Sequence, residues 1–368
     1  MKKKNLCKTL LKTMCIVLGI LILALLAYIV YLYASYYRIE DNQELVVEAP
    51  VDDTTTGAAA VLATDTEYSA VTYNIGFGAY LPDYSFFMDG GTSSWAESPE
   101  TVQYAINGAG ELVKSLDPDF ALIQEIDLDS TRSYHTDEYE MLRNILPEYT
   151  TVFAQNYDSA FLFYPFTQPH GSSRAGLGLF SKYPVSSALR RSFPISTSFS
   201  KFFDLDRCYS VSRIPVDNGK ELVIFNLHMS AYGNSDKIRK GQIEMLCNDM
   251  AKEYEAGNYV LCGGDFNHDL KASEEDAESC ESWAFPFPRS ELPEHFTFCL
   301  DLLTEEEQAA LWNSARNADM EYVPGVTYTV TLDGFIISDN IECLSYENVN
   351  TGYSYSDHDP VKVEFMLK

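Results

Sequence analysis

Basic residues are scarce in this chain: 26 Lys and Arg face 54 Asp and Glu across 368 residues, for a net charge of −28 at pH 7. No acid precedes Glu40, so residues 40–368 carry 20 basic and 54 acidic residues, about −34. Such a balance keeps a domain soluble and repels long nucleic acids and anionic lipid at a distance. A bound divalent cation would offset it locally. Cys-x-x-Cys spacing is absent from the eight scattered cysteines, which argues against a disulfide scaffold. Cys208, Cys247, Cys262, Cys280, Cys299 and Cys343 read mostly as small core residues. There are six histidines and no Cys or His cluster at ligand spacing, which disfavours zinc. No internal repeat is evident. Apolar material is ample, at 46% hydrophobic and 13% aromatic, enough for one large packed domain or two ordinary ones.

Residues 1–13 hold Lys2, Lys3, Lys4, Lys8 and Lys12. Met14 to Tyr37 then runs 24 residues without a charge, which at ~1.5 Å per residue crosses a ~30 Å hydrocarbon core. The lysines predict a cytoplasmic N-terminus, and Tyr28 to Tyr37 supply an aromatic belt at the far side. A cleaved signal peptide is the rival, but no good small-x-small cleavage site precedes Arg38. The expectation is a single-pass signal anchor with an extracytoplasmic domain in the cell membrane. Residues 38–66 are acidic and rich in Thr and Ala and read as a tether, with an r.m.s. span of roughly 25–30 Å if flexible.

From residue 67 short apolar strands alternate with helices. Strands are expected at Tyr68 to Ile75, Phe120 to Ile123, Leu177 to Phe180, Tyr209 to Val216, Leu222 to Leu227 and Val260 to Cys262. Four more, from Tyr328, Phe335, Ile341 and Val361, close the chain. Ser98-Pro99 caps a helix with a stripe from Val102 to Leu116, and Lys237 to Glu255 is a second helix. A shorter helix is expected from Glu138 to Leu146. Together these indicate a mixed α/β sandwich. Residues 270–325 are the least readable part.

At the strand ends stand Asn74, Glu125, the Asp265/Asn267 pair, Asn226-Leu227-His228 and Ser356-Asp357-His358-Asp359-Pro360. Gly263 and Gly264 precede Asp265 and would let the backbone approach a ligand closely. Asp265 and Asn267, two apart on extended backbone, would point the same way. Carboxylates and carboxamides are hard oxygen donors, suited to Mg²⁺ or Mn²⁺. A histidine among them can act as a general base or a transition-state donor.

Thr72-Tyr73-Asn74-Ile75, Gln124-Glu125, Asn226-Leu227-His228, Gly264-Asp265-Phe266-Asn267, Leu332-Asp333-Gly334-Phe335-Ile336 and Ser356-Asp357-His358 resemble, in order, the motifs of the endonuclease/exonuclease/phosphatase (DNase I-like) superfamily. The resemblance spans about residues 67–368. It implies a four-layer sandwich of two mixed β-sheets flanked by helices, and metal-dependent phosphoester hydrolysis. It implies Glu125 as the main Mg²⁺ ligand, with Asn74 and Asp357 in or near the metal shell. His358 would activate the attacking water with Asp333 as its orienter, while Asp265 and Asn267 position nucleophile and phosphate. His228 would donate to a non-bridging oxygen or the leaving group. Whether Asp265 or His358 is the base stays open. Gly334 stands where the family usually has an aromatic, which is expected to widen the pocket locally. A carboxylate partner for His228 is not evident. The Pro-Ala-Trp-Cys-Asp-Arg motif of inositol polyphosphate 5-phosphatases is absent, which discounts that branch.

The leading expectation is therefore a nuclease-like phosphodiesterase acting outside the cytoplasm on a nucleic acid or nucleotide. A phospholipid or sphingomyelin phosphodiesterase is the second, and a catalytically silent tethered binding domain the third. Two further stretches stand out. Arg174, Lys182, Arg190, Arg191, Lys201, Arg207 and Arg213 form either a solvated basic face or an anion-steering patch. Tyr80 to Gly91 is either a packed loop or one that faces the substrate or membrane.

Overall fold

The computed structural model describes residues 2–52, 61–202, 204–230, 236–273 and 284–368. Two compact units emerge, Met1–Arg38 and Ile39–Lys368. The first is helix α1 (Lys2–Ser35). Its Leu6–Ser35 stretch reaches a mean hydropathy of 2.9 and is long and apolar enough to cross a bilayer.

The second unit opens with short strands β1 (Gln43–Glu44) and β2 (Val47–Glu48). Strand β3 (Glu67–Asn74), helix α2 (Pro99–Leu116), β4 (Phe120–Asp127) and helix α3 (Glu138–Ile145) follow. Next come β5 (Thr150–Leu162), β6 (Gly171–Ser181), β7 (Ser187–Ser192), β8 (Cys208–Pro215) and β9 (Glu221–His228). Helix α4 (Asp236–Glu255) leads into β10 (Tyr259–Asp265). Then come β11 (Phe296–Phe298), helix α5 (Glu305–Ala310), β12 (Ala315–Arg316) and β13 (Thr329–Val330). Strands β14 (Asp333–Ser338), β15 (Ile341–Asn348) and β16 (Val361–Leu367) complete the unit.

Two seven-stranded mixed sheets result, ordered β1-β7-β8-β9-β10-β14-β11 and β15-β16-β3-β4-β6-β5-β2. Their facing sides form one apolar core, in which Leu122, Leu179 and Val363 of one sheet join Phe225, Leu261 and Phe335 of the other. Ile243, Leu246 and Met250 of α4 extend that core. A second core holds Val102 and Ile106 of α2 and Leu142 of α3 against Tyr73, Ala121 and Ile123. Helices, sheet, sheet and helix make four layers, the predicted sandwich. Helix α2 starts as its sequence requires: Ser98 Oγ accepts the Thr101 N–H at 3.1 Å, with Pro99 in the first turn.

Residues 39–52 do more than tether. β1 pairs with β7 at the edge of one sheet, and β2 pairs with β5 at the edge of the other. Leu62 is fully buried in the main core. Residues 53–60 of the expected tether lie outside the described residues.

The same segment takes Arg190 and Arg191 out of the steering patch. Arg190 is 1% exposed; its Nε donates to the Gln155 carbonyl at 2.6 Å, Nη1 to the Glu40 carbonyl at 3.2 Å and Nη2 to the Asp206 carbonyl at 3.1 Å. Arg191 pairs with Asp41 at 3.1 Å and with Asp249. Neither is a solvated cation or a steering charge, because backbone carbonyls and carboxylates occupy both. Arg190→Met leaves several buried carbonyls without a donor and should lower the unfolding free energy by about 3 kcal/mol. Urea unfolding of the full chain in detergent, followed by tryptophan fluorescence, measures this; an unchanged midpoint contradicts it.

Candidate active site

The site grows from strand ends. β3 and β4 run parallel with Asn74 opposite Gln124, and β9 and β10 run parallel with His228 opposite Asp265. β14 returns antiparallel and begins at Asp333, again opposite Asp265. Five strands of two sheets thus bring their polar terminal residues to one place.

Glu125 is aimed by a bulge. The β4–β6 register shifts between Ile123 and Ile126, and Glu125 takes φ 56°, left-handed backbone that costs a non-glycine residue energy. Asn74 Nδ2 then reaches Glu125 Oε1 at 3.1 Å and Asp265 Oδ2 at 3.0 Å. Asn74 Oδ1 accepts the Gly76 N–H at 3.0 Å.

The predicted Asp333–His358 pair is present. His358 Nδ1 lies 2.7 Å from Asp333 Oδ2, which also accepts the Ser314 hydroxyl at 2.7 Å. His358 Nε2 is left 3.9 Å from Asp265 Oδ2. Ser356 ties the Asp357–His358 turn to β3 by donating to the Asn74 carbonyl at 2.8 Å. His228 Nε2 stands 3.5 Å from Asp265 and 3.8 Å from Glu125, while its Nδ1 is buried with no partner among the described residues.

Two details of the glycine-rich stretch differ from expectation. The strand continues through both glycines, and what approaches them is protein. A Cβ on Gly263 would meet the Phe335 ring at 2.4 Å, and one on Gly264 the Leu227 carbonyl at 2.1 Å. Asp265 and Asn267 converge through a turn instead of extended alternation. Asn267 has φ 50°, its N–H donates to Asp265 Oδ1 at 2.8 Å and its Nδ2 to the Met229 carbonyl at 2.9 Å. Gly334 widens no pocket, because Leu270 and Tyr346 pack over it.

Glu125, His228, Asp265, Asn267, Asp357 and His358 all line one cavity of about 400 Å³. Asn74 and Asp333 bond those residues. Tyr80, Phe86 and Met88 give part of the 80–91 loop to the same wall. Arg207, expected only as one member of a solvated face or an anion-steering patch, also lines it, as do Arg132 and Arg316, which the sequence reading missed. Arg132 is doubly bonded to buried Asp127, at 2.9 and 3.1 Å, and lies over the Phe77 ring. Arg316 Nη2 donates to the Tyr80 and Leu81 carbonyls at 3.2 and 2.8 Å. Arg207 had one local signal, a basic residue entering the apolar strand β8.

Burial pushes Asp265 up to about 7, with His358 lowering it and Asp333 adding to the rise. Burial likewise brings Asp357 to about 6 and Asp89 to about 7, and Glu125 adds to both. For His358 burial opposes the charged form, but Asp333, Asp265 and Asp357 outweigh it and hold the ring well above its ordinary range. Burial, then the charges of Arg207 and His358, drive His228 well below it, so that ring is neutral. Glu125, Asp357 and Asp89 repel one another, and hard oxygen donors crowded in this way suit a divalent cation. Asp265, Asp333 and His358 are also close enough to hold an ion. The hydrogen bonds of Asp333 account for that proximity without one.

A search of family descriptions matches residues 71–300 to the Endonuclease/Exonuclease/phosphatase family. Solved structures with a similar fold include the endonuclease/exonuclease/phosphatase from Bacteroides vulgatus, 17% identical with a TM-score of 0.53, covering 83% of this chain and 100% of that one. D. rerio TDP2 complexed with a single-strand DNA product is 14% identical with a TM-score of 0.54, covering 82% and 99%. The human Nocturnin catalytic domain with bound sulfate is 13% identical with a TM-score of 0.52, covering 82% and 94%. No curated protein matches the chain.

His170, buried on the cavity wall against Phe86 and Phe87, is held at about 3 by burial and then by Arg132. Its folded pKa lies below the unfolded one, so its contribution is present above about pH 6.5 and lost as pH falls. Between pH 6.5 and 5 that loss is about 2 kcal/mol. His170→Gln should flatten the stability profile by that amount over this window, read by urea unfolding at each pH. Parallel profiles would show that the ring is not held neutral.

Proposed function

The chain belongs to the Endonuclease/Exonuclease/phosphatase family, whose members are generally metal-dependent phosphoester hydrolases, and from that premise we propose that it is a nuclease-like phosphodiesterase. One observation carries the reading. The buried His358–Asp333 pair faces Asp265 in the same cavity as a group of mutually repelling carboxylates.

Glu125 and Asp357, with Asn74, would hold a Mg²⁺ or Mn²⁺ ion, which supplies charge stabilisation at phosphoryl oxygens. Asp333 fixes the His358 ring and leaves Nε2 towards Asp265. This Asp265–His358 pair takes the proton of the attacking water. Asn267 braces Asp265 through its N–H. Neutral His228 donates to a phosphoryl or leaving-group oxygen. A cavity of about 400 Å³ walled by aromatic rings fits a small or single-stranded phosphodiester better than a duplex. The single-strand DNA product on D. rerio TDP2 supports the same substrate class. The lysines in the first turns of α1, ahead of its uncharged stretch, support an N-terminus in the cytoplasm and this domain outside it.

The full chain in detergent should hydrolyse bis-p-nitrophenyl phosphate with Mg²⁺ or Mn²⁺ and not with EDTA. His358→Ala should lower kcat by about 10²- to 10⁴-fold. Metal-independent turnover, or a fully active His358→Ala, would sink the reading.

A lipid phosphodiester is the second reading, favoured by one feature. The turn joining β5 and β6 exposes Phe163, Tyr164 and Phe166, the last 85% exposed. Tyr164 touches Phe87, which touches His170 on the cavity wall. Phe166→Ser should then reduce turnover of sphingomyelin vesicles about tenfold and leave bis-p-nitrophenyl phosphate hydrolysis unchanged. No turnover of vesicles by the wild type removes this reading.

A further inference from the structure

Arg207, one residue before β8, is 6% exposed and lines the cavity shared by Glu125, His228 and His358. Among the described residues its Nε and Nη1 have no hydrogen-bond partner, and its guanidinium makes no ion pair. The other arginines buried nearby are engaged: Arg132 by Asp127, Arg316 and Arg190 by backbone carbonyls. A guanidinium does not shed its proton in a protein, so this is a permanent charge. Leaving a buried charge unpaired is strongly destabilising. Residues 40–368 carry 54 carboxylates against 20 basic residues, so partners are abundant in this chain. That no described carboxylate pairs with this cation, beside a cavity in so acidic a domain, points to an anion that arrives from outside. The depressed pKa of neighbouring His228, to which Arg207 contributes after burial, agrees with a charge on that side of the site. Asp204 also lines the cavity, and its Oδ1 accepts the Leu205 N–H at 2.8 Å.

We propose that Arg207 binds a phosphate group of the substrate on the His228 side of the site. The planar guanidinium fork matches two phosphate oxygens at once, which an ammonium does not. The group held is either the scissile phosphate or a second phosphate beside it. The inference rests on the phosphoester reading but is tested by binding, so the two fail separately.

The experiment is isothermal titration of the full chain in detergent micelles with saturating Mg²⁺, using inorganic phosphate and methylenediphosphonate as probes. Arg207→Met should weaken at least one probe by about ten- to a hundredfold, the usual worth of a charge-assisted contact. A similar loss on both assigns Arg207 to a single, scissile-type phosphate. Loss on methylenediphosphonate alone assigns it to a second phosphate. Binding of both within about twofold of wild type overturns the proposal, as does a wild type that binds neither. If Arg207→Met does not fold by thermal melting, Arg207→Lys carries the comparison, with partial loss expected and full wild-type affinity overturning. Bis-p-nitrophenyl phosphate turnover by the same preparations reports on the phosphoester reading itself. Turnover that persists while Arg207→Met binds both anions normally would keep that reading and discard this one.

Discussion

A hydrogen bond between two amides, Gln124 Nε2 to Asn226 Oδ1 at 2.8 Å, is the centre of the polar clasp that joins the two sheets beneath the site. Gln124 belongs to β4 and Asn226 to β9, and both are fully buried. Gln124 also donates to the Leu122 carbonyl and exchanges contacts with Thr72, while Asn226 Nδ2 donates to the Gly178 carbonyl at 3.0 Å. An amide left unpaired in an apolar core costs more than the bond gains, so the network tolerates essentially one relative placement of the sheets. Glu125 follows Gln124, and His228 lies two residues past Asn226. The clasp therefore fixes the 3.8 Å separation of His228 and Glu125, which no apolar contact between twisted sheets would define as sharply.

The bulge at Glu125 depends on that clasp and on a support from the helical side. Its left-handed backbone persists because both flanks are held: Gln124 by the clasp, and Asp127 by Arg132, Ser133 and the Glu138 carboxylate that accepts its N–H at 2.8 Å. Strain of this kind survives only where the surroundings over-determine it. Turning one carboxylate out of the sheet brings it towards Asp357 and Asp89, whose pKa values burial already raises and Glu125 raises further. Local geometry has been set against local electrostatics, and a cation would relieve both.

What was legible in the sequence is what short-range pattern encodes. Apolar runs ending in Asn74, Glu125, His228 and Asp265 announce buried strands with polar tips, and the Ser98-Pro99 cap announces a helix. The strand β5 was not read. Its segment from Thr150 mixes Gln155, Asn156, Asp158 and Ser159 with apolar residues, because its outer neighbour is only the two-residue β2. Gln124 and Asn226 stood inside quoted motifs without a role, since each is explained only by the other, 102 residues away. Arg316 is more distant still from the Tyr80 and Leu81 carbonyls it holds. Arg190 and Arg191 looked like a surface face because a charge run says nothing about carbonyls that fold over it. Long-range polar complementarity is the part that periodicity does not carry.

The acidity of the domain also takes on a narrower meaning. At physiological ionic strength the Debye length is about 8 Å, so surface carboxylates beyond that distance act weakly on a bound group. A long polyanion must still traverse that field over its whole length, and its approach is slowed. A short phosphoester meets mainly the charges within its own cavity, where screening is weak and three guanidinium groups stand among the carboxylates. Net charge therefore selects against the length of the substrate and not against its chemistry. Cavity size acts in the same direction, and under the proposed function the two constraints together favour a small anionic ester more narrowly than either the fold or the family does.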